Sequence, residues 1–352
     1  MKVLHLPVNI ASIPFYTIRG LQQIGIQAMG LVFGEKNCQT SNGLTVISYP
    51  DRNDLIKETR AKILFSSFFI KMVRWADIVH WYFGSSRIPW NLDIKYIRLL
   101  RKPALVEWLG SDIRIPEVEF NDNPYYRKTL PFVSLSKQYK KSLIKQLRFA
   151  HAGFETLVTP CMRQYIFPSV WNNKIHVLRQ RIMTSDFKPC YPEPTKQKPL
   201  IVHGSTNALI KGTSFVISAI EKLKKKYKFE FFLIQNLSHE KALEIIKRAD
   251  IYLDQFILGS HGMAALEAMA YGKPVVCYIK PSLISTYPEE LPIINANPDN
   301  LIHVLGNLIL NGKLRHEIGK NSRCYVEKYH DAVKLAYDLK EIYAKVIQRK
   351  KS

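Results

Sequence analysis

The feature that most constrains the fold is an alternation of short apolar segments and amphipathic segments, which runs through the chain twice. Apolar runs of strand length in the first half lie at 2–7, 26–33, 77–83, 104–109, 156–159 and 174–179. The pattern restarts in the second half, with runs at 199–204, 229–235, 250–256 and 274–278. Strands that alternate with helices favour parallel βαβ units. We therefore predict an α/β chain built from two Rossmann-like domains.

The two repeats of this pattern are separated by a proline-rich segment. The sequence DFKPCYPEPTKQKP at 186–199 carries four prolines, which is typical of a linker or hinge. We expect an N-terminal domain at 1–183, a linker at 184–199 and a C-terminal domain at 200–328 that faces the first across a cleft. The remaining residues, 329–352, are predicted to form a helix that packs back toward the N-terminal domain.

The composition bounds the class of protein. The chain has 352 residues, 47% of them hydrophobic, which is enough for a sizeable core. Its five cysteines show no CxxC spacing, which argues against a disulfide framework or a zinc knot and fits a reducing compartment. The apolar run at the N-terminus is too short for a signal peptide, and the longest apolar stretch, 63–75, contains two cations. We expect a cytoplasmic protein, soluble or peripheral on a membrane.

The net charge of +22 is distributed unevenly. Residues 1–183 hold 26 Lys and Arg against 12 Asp and Glu, a net of +14, and no acid lies between Asp122 and Glu155. A field of one sign attracts polyanions or an anionic membrane surface. The alternative is a codon bias that adds lysines to solvated helix faces. Since no nucleic-acid-binding motif accompanies the charge, we expect no nucleic acid partner.

The segment KILFSSFFIKMVRW at 62–75 places aromatic and basic side chains at helical spacing. That pattern is typical of an interfacial amphipathic helix, although it also fits a helix whose aromatic face packs in a core. If it binds a membrane, the acceptor is lipid-linked or a growing surface glycan. The side chains predicted to contact the membrane are Phe68, Phe69, Lys71, Arg74, Lys140 and Lys141.

The stretch GSHGMAALEAMAYGKPVVCY at 259–278 carries the strongest local signal. A helix that starts at Gly262 exposes backbone N–H groups in its first turn, at Met263 and Ala264, and such an end binds phosphate. The carboxylate of Glu267, about one and a half turns further, is placed to accept both hydroxyls of a ribose. Gly272 then ends the helix. The alternative is an ordinary helix packed on a sheet through its alanines.

This stretch resembles the donor-binding signature of GT-B glycosyltransferases, especially glycosyltransferase family four. The resemblance implies that Glu267 holds the ribose of a sugar nucleotide and that residues 262–264 face its diphosphate. HGSTNALIKGT at 203–213 is similar to a second element of that family, in which the lysine matching Lys211 neutralises the donor phosphates. Ser205 and Asn207 in the same loop are then further donor-binding candidates.

A third, weaker similarity lies in the first half, where ADIVHWYFGSS and EWLGSDIR resemble the N-terminal domain of the same family. Asp112 and Arg114 follow a predicted strand, where open α/β sheets bind ligands. We expect them to orient the acceptor or the donor sugar, with a local salt bridge as the alternative. His203 ends a strand of the C-terminal domain and is either a contact to phosphate or sugar or a structural histidine.

Three positions depart from the family pattern. Gly259 stands where a second acid is usual, Ser205 where an arginine clamps the phosphates, and Leu109 where a histidine contacts the sugar. Asp254 and Gln255, just upstream, are candidates to replace the missing acid.

The resemblance implies a retaining glycosyltransferase, of hexosyltransferase type, that uses a UDP or GDP sugar. The acceptor is a glycan or a lipid-linked molecule of surface polysaccharide or glycolipid synthesis. No Asp-x-Asp motif is present, so we expect neither a metal ion nor a cofactor, and we assign catalysis to His203, Lys211 and Asp112. The alternatives are a sugar-nucleotide epimerase and a catalytically inactive GT-B subunit that binds a partner transferase or membrane lipid.

Overall fold

The computed structural model describes residues 1–34, 39, 43–47, 55–129, 135–205 and 207–351, with the backbone alone at 55, 128, 129 and 135–137. The chain folds as two compact units. Unit 1 comprises Met1–Ile115, Ser134–Met183 and Ala332–Ser352, and unit 2 comprises Pro116–Val133 and Thr184–Asp331. Residues 116–133, within the predicted N-terminal domain, therefore belong to unit 2.

Unit 1 is built on a seven-stranded parallel sheet of order β3-β2-β1-β4-β5-β6-β7. The strands are β1 (Lys2–Leu6), β2 (Gln27–Phe33), β3 (Thr45–Ile47), β4 (Ile78–Tyr82), β5 (Ala104–Trp108), β6 (Glu155–Val158) and β7 (Ile175–Val177). Every residue of β4, β5 and β6 is buried, as expected for parallel strands covered on both faces. The strand order reverses between β1 and β4, so their carboxyl ends form a topological switch point.

Helices connect these strands, and two of these helices pack in unit 2 instead of unit 1. The helices between β1 and β7 are α1 (Ile13–Gln23), α2 (Leu55–Trp75), α3 (Leu92–Leu99), α4 (Pro116–Asp122), α5 (Pro124–Thr129), α6 (Leu135–His151) and α7 (Pro168–Trp171). Three short 3-10 turns lie at Pro89–Asn91, Pro160–Tyr165 and Thr184–Asp186. Helices α4 and α5 and the 3-10 turn at Thr184–Asp186 belong to unit 2, and the other elements named here belong to unit 1.

Unit 2 is built on a five-stranded parallel sheet of order β12-β11-β10-β8-β9. Its strands are β8 (Leu200–Gly204), β9 (Glu230–Ile234), β10 (Ile251–Leu253), β11 (Val275–Cys277) and β12 (Ile294–Asn295). Its remaining helices are α8 (Ala208–Lys211), α9 (Thr213–Lys224), α10 (His239–Arg248), α11 (Met263–Ala270), α12 (Pro281–Ile284), α13 (Leu301–Leu310) and α14 (Gly312–Tyr329). The sheet order reverses between β8 and β10.

Specific contacts explain why α4 and α5 pack in unit 2. The ammonium of Lys280, fully buried, lies 2.8 Å from Asp122, and the Asn123 amide donates to the carbonyl of Ile257 at 2.6 Å. The Tyr125 hydroxyl donates to Asp299 at 2.6 Å, and its ring lies in the core of the unit. Buried polar contacts of this kind are costly to break, because the partner left behind stays buried.

The C-terminal helix α15 (Ala332–Lys351) packs against α1 in unit 1. Leu339 and Tyr343 of α15 lie in one apolar cluster with Val3 and Ile18. Gly20 is required at this contact, since a Cβ there would lie 2.4 Å from the backbone oxygen of Ala332.

A buried ionic network lies inside unit 1. Arg181 donates to both carboxylate oxygens of Glu107, at 3.0 and 2.6 Å, and its Nε donates to Thr17 at 2.6 Å. Both members of the pair are 1% exposed. Burial alone raises the pKa of Glu107, but the adjacent guanidinium outweighs it and holds that pKa at about 2. The pair is therefore charged on both sides at neutral pH.

Candidate functional site

The candidate site lies at the switch point of the unit 2 sheet, where β8 and β10 end. Lys211 is the last residue of α8, which follows β8, and Asp254 directly follows β10. The Lys211 ammonium lies 2.5 Å from the Asp254 carboxylate. Ligands of open α/β sheets bind at this edge, so the structure places Lys211 where a ligand is expected.

A left-handed turn places Lys211 there. Gly212 has φ +73°, a conformation that favours glycine, and a Cβ at Gly212 would lie 3.2 Å from the Cβ of Phe256. The N–H of Phe256 donates to the carbonyl of Lys211 at 3.1 Å. The Lys-Gly pair seen in the sequence thus anchors α8 to the segment after β10.

Asp254 joins Lys211 to the start of α11. One carboxylate oxygen of Asp254 contacts the Lys211 ammonium, and the other accepts the N–H of Gly262 at 2.6 Å. Asp254 is fully buried, whereas the Lys211 side chain is 14% exposed. Burial raises the pKa of Asp254, but Lys211 and the Gly262 N–H lower it by more, so the net pKa falls below its usual range.

The start of α11 retains donors for an anion. Gly262 is the N-cap, and the N–H groups of Met263 and Ala264 lie in the first turn, where no intrahelical acceptor exists. Gly262 and Ala264 are partly exposed, while most of the helix is buried. A Cβ at Gly262 would lie 3.2 Å from the Lys211 ammonium. A cation and a helix N-terminus therefore lie close together, and the absence of a side chain at Gly262 leaves space between them.

Glu267 lies further along α11 and is 5% exposed. Its carboxylate contacts the ring nitrogen Nε2 of His239, the first residue of α10, at 2.8 Å. Burial lowers the pKa of His239, but the hydrogen bond and charge of Glu267 raise it by more, so the net pKa is above its usual value. His239 was not among the predicted site residues. Its signal in the sequence was weak, because a histidine at a helix start has no characteristic spacing from Glu267.

His203 is held on both ring nitrogens inside unit 2. Its Nδ1 lies 2.9 Å from the carbonyl of Leu253, which can only accept, so Nδ1 carries the proton. Its Nε2 then accepts from the Thr213 hydroxyl at 3.0 Å, and Ser205 bonds the same hydroxyl at 2.9 Å. His203 is fully buried, and burial lowers its pKa to about 4. This arrangement favours the structural alternative for His203, and it places Ser205 in the same buried hydrogen-bond network.

Two further residues singled out in the sequence, Asn207 and Gly272, lie at helix ends. The Asn207 side chain caps α8 by accepting the N–H of Ile210 at 3.2 Å. Gly272 has φ +75° and donates to Met269 at 2.8 Å, which confirms that it ends α11.

Asp112 and Arg114 lie in unit 1, in the loop after β5. The Asp112 carboxylate is 3% exposed and accepts the N–H groups of Gly110 at 2.8 Å and Leu109 at 3.2 Å. Burial raises the pKa of Asp112, and these backbone hydrogen bonds partly offset the rise. Asp112 therefore shapes the loop, and Arg114 lies beside it, partly buried.

The segment predicted to contact a membrane lies on α2, and the prediction that Phe69 contacts the membrane is wrong. Phe69 is 1% exposed and packs between Phe65 and Tyr96, because its face of α2 covers the sheet. Phe68 is 39% exposed, Lys71 is exposed, and Arg74 donates to the Tyr96 hydroxyl at 3.0 Å. Lys140 and Lys141 are exposed on α6. Within the described ranges, no helix is long and apolar enough to cross a membrane.

Among the described residues, no group of three or more His, Cys, Asp and Glu side chains could hold a metal ion. The cysteines of the described part of the chain are free thiols, and Cys38 lies outside it.

Residues 205–324 match the sequence model of the family "Glycosyl transferases group 1". No curated protein matches the chain in sequence. Similar solved structures include sucrose-phosphate synthase from Thermosynechococcus elongatus, with a TM-score of 0.63 and 14% identity over 99% of this chain and 100% of that chain. WaaG, a glycosyltransferase involved in lipopolysaccharide biosynthesis, has a TM-score of 0.58 and 14% identity over 97% and 99%. HepE of Anabaena in complex with UDP has a TM-score of 0.61 and 12% identity over 98% and 100%.

These findings confirm the predicted resemblance and fold class. The chain has the GT-B fold, with a parallel sheet in each unit. Lys211, Gly262 and Glu267 all lie within residues 205–324, the part of unit 2 that matches the group 1 glycosyltransferase model.

Proposed function

We propose that the protein transfers a sugar from a nucleotide-diphosphate sugar, with the donor bound in unit 2. The donor diphosphate lies over the start of α11, beside the Lys211 ammonium, and Glu267 accepts the ribose hydroxyls. The observation that carries this proposal is the position of Lys211, which Asp254 holds beside Gly262. A cation and free backbone N–H groups at one point are what a diphosphate requires.

In the proposed reaction, the bond between the anomeric carbon and the diphosphate oxygen breaks, and an acceptor hydroxyl oxygen bonds to the same carbon. The hydroxyl proton passes to the departing diphosphate. Attack on the face that the diphosphate leaves retains the configuration of a transferred hexose. We propose that Lys211 and the N–H groups of Met263 and Ala264 stabilise the leaving charge without a metal ion. Donors aimed at developing charge are usually a large part of catalysis.

Calorimetric titration with UDP, GDP and ADP, in the presence of EDTA, tests the donor site. HepE was solved with UDP and with UDP-glucose, which makes UDP the first nucleotide to titrate. We expect one nucleotide to bind and Glu267→Gln to weaken it about ten- to a hundredfold, as for a lost hydrogen bond to a charged group. Glu244→Gln, at an exposed position of α10, is the control and should bind like wild type. Binding by none of the nucleotides, or equal binding by Glu267→Gln, contradicts the proposal.

We further propose a cytoplasmic enzyme that is peripheral on the inner face of the membrane and acts on a glycan or lipid-linked acceptor. The support is α2, whose exposed surface mixes apolar and basic side chains. The exposed apolar residues of α2 are Ile56, Ile63, Leu64, Phe68 and Ile70.

Sedimentation with vesicles tests this surface. We expect wild type to bind vesicles that contain an anionic phospholipid and not neutral ones. The double variant Leu64→Gln/Phe68→Gln should lose most of the binding. Leu310→Gln is the control, because Leu310 is also exposed, at 71%, but lies on α13. Equal loss in the control would show that any exposed apolar side chain contributes.

A second candidate, a nucleotide-binding subunit without transferase activity, is favoured by the geometry at Gly259. Gly259 has φ +70°, and a Cβ there would lie 2.8 Å from the side chain of Lys280. An acid at this position is therefore excluded by both backbone and space. Incubation with the sugar nucleotide of the base that binds decides between the two: release of nucleotide diphosphate supports the transferase, and binding with no release over hours supports the subunit.

A further inference from the structure

Unit 1 contains a cavity of about 850 Å³ that is separate from the proposed donor site, although Lys140 and Lys141, named above as predicted membrane contacts, are among its lining residues. Gly84, Ser85 and Ser86 follow β4, and Phe33 ends β2, so the cavity lies at the carboxyl edge of the sheet, next to the switch point. Its volume falls within the range of small-molecule sites, which is about 300–1,000 Å³.

Six cations and no carboxylate are among the residues that line the cavity. The cations are Lys62, Arg87, Lys140, Lys141, Lys145 and Arg148. Four of them lie on α6 at positions i, i+1, i+5 and i+8, which form one stripe along the helix. Lys62, on α2, is already paired with Glu58 at 2.6 Å. The four cations of α6 form a cluster of like charge, which is unfavourable unless an anion neutralises it.

The α6 cations have no carboxylate partner among the described residues. Lys145 donates instead to the backbone oxygen of Asp112 at 2.9 Å. Burial lowers the pKa of Lys145, Asp112 opposes that change, and Lys141 and Arg148 lower the pKa further. The charges of α6 thus act on each other.

Asp93 and Asp112 both accept backbone N–H groups from the loop that lines the cavity. Asp93, fully buried, accepts the Arg87 N–H at 2.7 Å and the Ser86 hydroxyl at 2.6 Å, which holds the loop in place. Asp112 accepts three N–H groups, including that of Gly84 at 3.4 Å. These carboxylates shape the cavity and leave the α6 cations to bind a ligand.

Apart from these cations, the cavity also has an apolar part. Ile88, Pro89 and Trp90 line it, and Trp90 is 79% exposed. Trp90 also has φ +56°, a conformation that is rare for a bulky residue and is found mostly at functional positions. Ile144, 57% exposed, adds an apolar side chain from α6 itself.

We infer that this cavity binds a phosphate or diphosphate group that carries an apolar chain, and that this group belongs to the acceptor. The α6 cations contact the phosphate oxygens, and Trp90 with Ile88 and Ile144 contacts the chain. The inference rests on the proposed transferase function only in that the bound group is taken to be the acceptor, because the cavity and its charges lie within unit 1. It narrows the acceptor to an anionic, phosphate-bearing lipid.

Fluorescence and calorimetric titration of the full chain tests this site with three probes: farnesyl diphosphate, inorganic pyrophosphate and farnesol. We expect farnesyl diphosphate to bind at least about tenfold more tightly than either of the others, since only it meets both surfaces. Equal binding of pyrophosphate would assign the site to free phosphates and overturn the lipid. Equal binding of farnesol would overturn the role of the cations.

Variants locate the binding. The double variant Lys141→Gln/Arg148→Gln should weaken farnesyl diphosphate at least about tenfold, as expected for the loss of charged hydrogen bonds. Trp90→Ala should weaken farnesyl diphosphate and leave pyrophosphate unchanged. Lys95→Gln, an exposed lysine of α3 outside the cavity, is the matched control. Binding that survives the double variant, or falls equally in the control, overturns the site.

The same variants are titrated with the nucleotide that binds wild type. We expect the double variant to keep that affinity and Glu267→Gln to keep the affinity for farnesyl diphosphate. If no nucleotide binds but farnesyl diphosphate binds as described, the donor proposal fails and the cavity stands as a lipid phosphate site.

Discussion

The two units each contain a cation paired with a fully buried carboxylate, and the two pairs differ in what the cation still offers. In unit 1, Arg181 is enclosed and donates to Glu107 and Thr17. In unit 2, Lys211 donates to Asp254 at one point, stays 14% exposed and lies beside the start of α11. The enclosed guanidinium contacts only other groups of the fold, so its loss should change stability. The partly exposed ammonium lies at a helix N-terminus, where it can also contact an anion.

Breaking the enclosed pair should have the largest effect. Glu107→Gln leaves the Arg181 guanidinium buried without a counter-charge, so we expect unfolding to become easier by about 3–5 kcal/mol. Urea unfolding followed by far-UV circular dichroism measures this loss. The double variant Glu107→Gln/Arg181→Met should recover part of it, because no charge remains buried. Equal stability of Glu107→Gln and wild type would contradict the importance of the pair.

Removing the open pair should affect function rather than stability. The double variant Lys211→Met/Asp254→Asn leaves no unpaired charge, so we expect a small change in unfolding. Sugar transfer should fall by the loss of a charge-stabilising donor, about 2.7–4 kcal/mol or roughly a hundred- to a thousandfold. Steady-state release of nucleotide diphosphate measures the rate. Lys222→Met, at an exposed position of α9, is the control, and full activity in the double variant would remove Lys211 from the mechanism.

The enclosed pair should also determine stability in acid. The pKa of Glu107 is about 2 in the folded protein against a usual 4.5. The ionised carboxylate therefore contributes fully to the free energy of unfolding above pH 4.5. As pH falls from 4.5 toward 2, protonation removes that contribution, at most about 3 kcal/mol. Urea midpoints across this range should fall more steeply for wild type than for Glu107→Gln/Arg181→Met. Parallel slopes would show that other carboxyl groups control the acid limb.

The smallest expected effect is at Gly262. Gly262→Ala introduces a Cβ 3.2 Å from the Lys211 ammonium, so the lysine shifts and nucleotide affinity should fall a few-fold. Its φ of −98° is accessible to alanine, so stability should change by no more than about 1 kcal/mol. Gly306→Ala is the matched control. Gly306 lies on α13, and a Cβ there would lie 3.3 Å from the Tyr227 hydroxyl. Calorimetric titration compares the two variants, and equal affinities would contradict close approach at Gly262.

Much of the fold could be predicted from sequence because parallel strands are buried on both faces and appear as short apolar runs. Each predicted run corresponds to a strand, from β1 to β11 with the exception of β3. The strands β3 and β12, of three and two residues, were not predicted, and the two residues of β12 are too few to show any periodicity. The break after α11 was predictable for a local reason, namely the positive φ that Gly272 adopts.

Other features depend on contacts between distant residues. That α4 and α5 pack in unit 2 follows from pairs such as Lys280 with Asp122, separated by 158 positions. The burial of Phe69 depends on which face of α2 covers the sheet, which a helix with apolar residues on several sides does not reveal. The contact of His239 with Glu267 likewise joins two helices.

By itself, the sequence determined the α/β class, the repeated βαβ pattern, the excess of positive charge in the first half and the glycine–helix element around Glu267. Those are properties of neighbouring residues, set by periodicity, backbone preference and charge. Only the tertiary structure decided that Asp254 joins Lys211 to Gly262, that His203 is enclosed, and that the α6 cations line one cavity with Trp90. These depend on which side chains meet and how far water is excluded, since desolvation and pairing act through space and not along the chain.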